Sequence, residues 1–152
     1  MKVLLDVDGT HEETTVTIHC KEVNDSIKEI LNYLNERKIE FILGKDGERQ
    51  HILKPEEIHF FHAKGDYVHA LTARGDFKIK EKLYELEQLL PAHRFIRLSK
   101  SVIANLYEIS HFEPSFHGTL CVNFKSGVKE YASRHYVGKI KEVLKMNRRE
   151  SK

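Results

Sequence analysis

Tryptophan is missing from this sequence, and cysteine and proline are scarce: its 152 residues include two cysteines and three prolines. Cys20 and Cys121 stand alone without a CxxC pair, which excludes a disulfide-stapled fold and a zinc ribbon. We predict that both are buried thiols in a reducing compartment. At this length a hydrophobic core suffices without disulfides or metal.

Long apolar runs are also missing. No segment approaches the roughly 18 consecutive apolar residues of a membrane span. The apolar run near the start, at residues 3–5, is too short for a signal peptide and an acid follows it directly. We therefore expect a cytoplasmic protein.

Enzyme signatures are absent with one exception, discussed below. The sequence has no GxSxG elbow, no glycine-rich phosphate loop and no HExxH pair. Ten histidines are present, but none falls in a pattern typical of zinc ligands. The expectation is a protein that is not an enzyme and holds neither a metal nor another cofactor.

Charge is unevenly distributed along the chain. Residues 91–152 contain 12 Lys and Arg against 5 Asp and Glu, a net +7, although the whole chain carries only +2. Residues 1–90 therefore carry +2 − 7 = −5. A basic half is typical of a surface that binds phosphates, and equally of a lysine-rich solvated surface, so charge alone leaves both interpretations open.

The first third of the chain predicts two strands and a helix. Residues 2–7 and 14–19 have β-type composition, and Asp8-Gly9 is a turn signal between them. Residues 25–37 follow a cluster of N-cap residues and place apolar side chains on one helical face: Ile27, Ile30, Leu31 and Leu34.

The remainder predicts antiparallel β structure. Turn signals separate short apolar or alternating segments at residues 40–43, 50–53, 58–62, 67–72, 77–79, 95–98, 101–106, 109–113, 119–124 and 128–132. A helical face of leucines precedes Pro91, and residues 137–146 predict a C-terminal helix. The predicted fold class is mostly β, with a short inserted helix, a C-terminal helix and an N-terminal strand-strand-helix extension.

One motif near the start points to a different function. Residues 3–10 read VLLDVDGT, similar to the nucleophile motif of haloacid-dehalogenase-like phosphatases, in which the counterparts of Asp6 and Asp8 would act on a phosphoryl group. That chemistry needs a parallel sheet with alternating strands and helices, whereas here one strand pattern follows another. The later acids Asp66 and Asp76 lie in predicted hairpin turns. We therefore interpret Asp8-Gly9 as a turn.

Four segments between residues 55 and 144 together resemble the LytTR DNA-binding domain, the output domain of many bacterial response regulators. The third contains FIRLSKSVIANL and the fourth reads YASRHYV. Each is weakly specific alone, and their order and spacing carry the resemblance. The four segments are residues 57–68, 80–90, 95–109 and 131–137.

The resemblance implies a β fold that inserts loops, rather than a recognition helix, into successive major grooves of double-stranded DNA. Carried over by position, the candidate DNA-binding residues are Lys64, Asp66, Tyr67, Arg97, Ser99, Lys100, Ser101, Ser133, Arg134 and His135. Their cations and small hydrogen-bond donors suit phosphate contacts, and Arg or Lys can also read guanine. Many relatives have His where this chain has Ser99, and a basic residue where it has His135, which puts the base preference in doubt.

The resemblance also implies an organisation. The predicted parts are an extension at residues 1–54, a LytTR-like domain at 55–147 and a charged tail at 148–152. The extension is too short for a receiver domain, so the stand-alone type is expected, acting as a homodimer on repeated half-sites. A small membrane protein that restrains the regulator is a further implied partner.

Two interpretations compete with this one. The basic half could be incidental to a protein-interaction module that assembles through the N-terminal helix, and the phosphatase is the weaker alternative. At the residue level, Arg134 could form a surface salt bridge instead of contacting DNA. Asn105 follows an apolar strand, so we predict that it bonds backbone at a turn.

Overall fold

The computed structural model describes residues 1–35 and 39–150, and the chain divides into two compact units after Asn35. The first unit contains one helix, α1 (Asp25–Asn35), whose start is capped by the Asn24 side chain accepting from the Ile27 N–H at 3.0 Å. This confirms the predicted helix as far as residue 35, and the other two residues predicted for it lie outside the described part.

The predicted N-terminal strands are wrong. Residues 2–7 and 14–19 form no strand and are almost entirely exposed. The turn between them is confirmed, since the Thr10 N–H donates to the Asp8 carboxylate at 2.9 Å and the His11 N–H to the Asp8 carbonyl at 3.1 Å. Cys20 is exposed, which corrects our prediction of a buried thiol, whereas Cys121 is buried as predicted.

The second unit contains ten strands, which we number in chain order. They are β1 (Ile42–Asp46), β2 (Arg49–Leu53), β3 (Ile58–Lys64), β4 (Tyr67–Thr72), β5 (Gly75–Ile79), β6 (Phe95–Ser99), β7 (Val102–Asn105), β8 (Ile109–Pro114), β9 (Leu120–Phe124) and β10 (Lys129–Ala132). Each corresponds to one segment predicted in this part of the chain, with ends that differ by up to three residues, as in β1, predicted at 40–43. The mostly β fold class is confirmed.

All described strand pairs are antiparallel and form two sheets. The larger has the order β2-β1-β5-β4-β3-β7-β6, and the smaller has the order β10-β9-β8. The β1–β2 hairpin, which our sequence analysis placed in the extension, pairs with β5 through Lys45 opposite Lys78. No described pair is parallel, as the phosphatase fold would require, and Asp6 and Asp8 lie outside any strand.

The larger sheet buries side chains in two separate clusters. Phe61 belongs to one cluster, together with Leu83 and Leu86 of helix α2 (Leu83–Leu89). Its neighbour Phe60 belongs to the other, together with the smaller sheet and Ile140 of helix α3 (Arg134–Glu150). Because successive side chains of a strand point to opposite faces, β3 contributes to both.

The two helices of this unit follow their local signals. The Glu85 carboxylate accepts from the Lys82 N–H at 3.1 Å at the start of α2, and Pro91 follows its end. Helix α3 begins three residues before the predicted start and continues through residues 148–150, which we predicted as tail; residues 151–152 lie outside the described part. Of the described helices, none has the length and apolar character needed to span a bilayer.

Candidate nucleic-acid interface

Two backbone hydrogen bonds bring the three predicted DNA-contacting segments together. The Ala63 N–H donates to the Ser101 carbonyl at 2.8 Å, which joins the β3–β4 turn to the β6–β7 turn. The Ser133 N–H donates to the Leu98 carbonyl at 2.9 Å, which joins the start of α3 to β6. We call residues 64–67, 97–101 and 133–135 the binding edge. Segments far apart in sequence thus form one continuous surface.

An aromatic ring and three lysines lie at the β3–β4 turn. Gly65 has φ +62°, a left-handed conformation that glycine adopts without strain, and Lys64 is exposed. The Lys78 ammonium lies 3.2 Å from the centroid of the half-exposed Tyr67 ring, a cation–π contact. The Asp66 carbonyl accepts from the Lys82 ammonium at 3.0 Å. Two lysines from other segments therefore contact this turn.

The Arg97 side chain stabilises the β6–β7 turn by bonding to its backbone. Its Nε donates to the Ser99 carbonyl and its Nη2 to the Lys100 carbonyl, both at 2.6 Å, while Nη1 pairs with the Glu87 carboxylate of α2. Only 15% of its side chain is exposed. All three guanidinium nitrogens therefore form hydrogen bonds within the protein.

The remaining side chains of this turn face outward. The Ser99 and Ser101 hydroxyl oxygens lie 3.3 Å apart, and the Ser101 N–H donates to the Ser99 hydroxyl at 3.2 Å. Lys100, between them, is exposed, and its ammonium makes no hydrogen bond or ion pair with any residue in the described ranges. The turn thus presents a free ammonium flanked by two hydroxyl groups, an arrangement suited to phosphate or base contacts.

The third segment begins α3. Arg134 and His135 occupy its first two positions and are exposed, and the His135 ring meets the Tyr136 ring edge-on at 4.9 Å. Helix N-termini carry partial positive charge and unpaired N–H groups, so anions are favoured here. The alternative of a salt bridge at Arg134 receives no support, since it pairs with no acid among residues 1–35 and 39–145.

Two parts of this region could not be predicted from the sequence. Lys78 and Lys82 contact the β3–β4 turn, but they come from other segments, and only the folded sheet brings them there. The β8–β9 loop reaches Arg134: a Cβ added to Gly118 would lie 3.2 Å from Arg134 Cδ. The sequence signal for this loop was a glycine between two predicted strands, which does not reveal its neighbours.

A cluster of titratable side chains lies beside the binding edge. The His62 Nε2 and the His69 Nδ1 lie 3.2 and 3.6 Å from the same Asp76 carboxylate oxygen. Burial raises the pKa of Glu130 on β10, and the attraction of His62 opposes that shift. Among residues that the structure describes, no three His, Cys, Asp or Glu side chains are arranged to hold a metal ion.

Comparisons with known proteins identify the family. The family model that describes the LytTr DNA-binding domain matches residues 48–145 of this chain. HTH-type transcriptional regulators of Staphylococcus aureus strains NCTC 8325 and COL are each 34% identical to this chain over 145 residues, which is 95% of this chain and 98% of theirs.

A solved structure agrees at the level of the fold. A LytTr DNA-binding domain from Bacillus cereus superimposes with a TM-score of 0.68 at 23% identity, covering 70% of this chain and 97% of that one. This comparison shows that the two proteins share a fold. The family itself is shown by sequence, through the family model and the Staphylococcus relatives. The resemblance seen in the sequence is confirmed: the chain belongs to the LytTr DNA-binding domain family.

Proposed function

We propose that this protein is a sequence-specific, double-stranded-DNA-binding transcription regulator that contacts its site through the binding edge. The observation that carries the proposal is the meeting of all three segments at one edge, through the Ala63–Ser101 and Ser133–Leu98 backbone hydrogen bonds. Family membership also supports the proposal, and so do the Staphylococcus relatives described as transcriptional regulators.

The proposal assigns DNA contact to loops that enter the major groove. In the described part of the chain, strands separate the three α-helices, so no two helices are joined by the short turn of a helix-turn-helix motif. The binding edge offers instead the exposed side chains of Lys64, Tyr67, Lys100, Arg134 and His135. Cations of this kind contact phosphates, and Arg or Lys in the groove can read guanine.

Further parts of the proposal come from the family resemblance. We propose a cytoplasmic regulator without catalytic activity that acts as a homodimer on repeated half-sites. Repeated half-sites match the two-fold symmetry of a dimer, and their spacing reports its geometry. A small membrane protein that restrains it is the second proposed partner.

Selection from a randomised duplex pool tests the function directly. We expect a preferred sequence, called here the selected duplex, whose affinity falls steeply with salt because bound cations release counterions from the DNA. Neutralising about four to six phosphates gives a slope of log K against log salt of about −4 to −5. Fluorescence anisotropy of the full chain between low and moderate salt measures this slope.

A scrambled duplex is the control in this experiment. The regulator hypothesis fails if no sequence is enriched, or if the chain binds no duplex even at low salt. The protein-interaction module would then account better for the basic half of the chain.

Arg97 has a distinct role in this proposal, because its contacts hold the β6–β7 turn. Arg97→Ala is expected to lower the free energy of unfolding by about 2 kcal/mol, since two charge-assisted hydrogen bonds and a partly exposed ion pair are lost. It should also weaken binding to the selected duplex by disordering Lys100. Urea unfolding and anisotropy measure the two effects.

Glu87→Gln is the matched variant for Arg97. It removes the ion pair and leaves both carbonyl contacts of Arg97 in place. We expect a loss of less than about 1 kcal/mol in stability and nearly unchanged DNA binding. If Arg97→Ala abolished specific binding without any change in stability, Arg97 would instead be a direct DNA contact.

A further inference from the structure

The β8–β9 loop, residues 115–119, exposes an aromatic ring with no apolar cover. Phe116 is 84% exposed, the most exposed large apolar side chain between residues 39 and 145. Leaving a phenylalanine in water forgoes about 1.5–3 kcal/mol that burial would supply. A partner that covers this ring would recover that free energy.

The loop holds Phe116 in a defined position. The Ser115 N–H donates to the Thr119 carbonyl at 3.0 Å, and the Thr119 hydroxyl donates to the Phe116 carbonyl at 2.7 Å. His117 has φ 57° and ψ 35°, a left-handed conformation that costs a non-glycine residue about 1–2 kcal/mol, and Gly118 follows with φ +78°. The loop is thus a hydrogen-bonded turn that leaves the Phe116 ring exposed.

This loop is continuous with the binding edge. Leu120 pairs with Pro114 on one side and with Ala132 on the other, so the loop emerges at the end of the smaller sheet where β10 leads into Ser133. Gly118 lies against the aliphatic part of Arg134. The loop that carries Phe116 therefore lies beside Arg134 of the third predicted segment.

We propose that Phe116 is an apolar wedge that enters the DNA minor groove next to the binding edge and partly unstacks one base step. This inference rests on the proposed function and adds a contact outside the three segments. Apolar side chains, phenylalanine among them, insert between base steps from the minor groove and kink the duplex. Arg134, whose aliphatic part lies against Gly118 in the same loop, supplies positive charge for the adjoining phosphates. A bent duplex also brings more backbone to the cations.

Substitutions at Phe116 test the wedge by affinity and by bending. With the full chain and the selected duplex, Phe116→Ala is expected to weaken binding about tenfold, and Phe116→Leu, which keeps an apolar wedge, about threefold or less. The bend measured by circular-permutation mobility should fall by about 20° or more in Phe116→Ala. Tyr107→Ala is the matched control, because Tyr107 is a half-exposed aromatic residue at the opposite end of β8.

Fluorescence provides a second readout that does not depend on affinity. The chain contains no tryptophan, so Phe116→Trp introduces a single reporter. Stacking against bases should quench its emission on the selected duplex, whereas the emission of Tyr107→Trp should stay nearly constant. Circular dichroism of each variant confirms that it is folded.

These experiments distinguish a failure of the Phe116 wedge from a failure of the proposed DNA-binding function. If the wild-type chain binds no duplex, the proposed function fails, and the wedge with it. If the wild type binds and bends the selected duplex and Phe116→Ala does both equally well, the wedge is overturned and the regulator stands. An unquenched tryptophan at full saturation likewise overturns it. Loss of affinity and of bend in Phe116→Ala, with quenching in Phe116→Trp, supports it.

Discussion

Lys100→Ala is expected to weaken binding to the selected duplex by about 1–3 kcal/mol, roughly 5- to 150-fold, and to relax the preference at one base position. The ammonium is exposed between two hydroxyl groups and is not paired within the described part of the protein. Arg134→Ala should behave in the same way at a different position of the site. Anisotropy on selected and single-position variant duplexes measures both.

Lys125→Ala is the matched control for these two variants. Lys125 is also exposed, but it follows the end of β9 that lies away from the binding edge. Its loss should reduce affinity by little and equally on selected and scrambled duplexes. Equal losses on both duplexes for Lys100→Ala and Arg134→Ala would show that neither residue reads bases.

Asn105→Ala is expected to lower the free energy of unfolding by about 2–4 kcal/mol. Asn105 is fully buried; its Nδ2 donates to the Ile58 carbonyl at 2.9 Å and its Oδ1 accepts from the Tyr107 N–H at 3.1 Å. Alanine leaves both backbone groups without these partners in the interior, and each buried unpaired group is costly. Urea unfolding at neutral pH measures the difference.

Asn123→Ala provides the comparison, because Asn123 is also a buried asparagine but makes one long contact, 3.8 Å from its Nδ2 to the Cys121 sulfur. We expect it to cost about 1 kcal/mol or less. A similar loss in both variants would mean that the volume of the side chain, rather than its hydrogen bonds, determines the stability.

Local signals predicted the regular structure of the second unit well. Turn glycines and alternating apolar residues located its strands, and the leucine face before Pro91 located α2. The prediction that Asn105 bonds backbone at a turn is confirmed, because an asparagine that follows an apolar strand has few other ways to satisfy its amide. The order of the strands in the sheets was beyond reach, since it depends on pairings between distant segments.

The N-terminal strands failed for a related reason. Residues 14–19 have strong β propensity, but a strand is stabilised by a neighbour, and none pairs with this segment in the described structure. The prediction that Cys20 is buried was wrong for the same reason. Thiols tend to be buried, but only where a hydrophobic core lies nearby, and Cys20 is exposed. Sequence propensity therefore indicates which secondary structure a segment can form, and packing against neighbours determines which one it forms.

The candidate site was predictable as a set of segments but not in the role of each side chain. Sequence placed Arg97 with Lys100 as a DNA contact, whereas the structure commits the Arg97 guanidinium to Glu87 and two carbonyl groups. Nothing in the sequence distinguishes these two cations, because the difference lies in the position of Arg97 within β6, next to Glu87 of α2, and of Lys100 in the turn that follows. The DNA contacts themselves stay predictions.

The Ala63–Ser101 hydrogen bond bears on the order in which the protein folds. It joins turns separated by 101 − 63 = 38 residues, whereas the β3–β4 hairpin closes over a two-residue turn. Closing a longer loop costs more chain entropy, so local hairpins form readily and the β3–β7 pairing follows. A chain still emerging from the ribosome holds the β3–β4 turn long before the partner turn exists. The binding edge is thus complete only after this distant pairing forms, and solvent exchange at the Ala63 amide reports when it does.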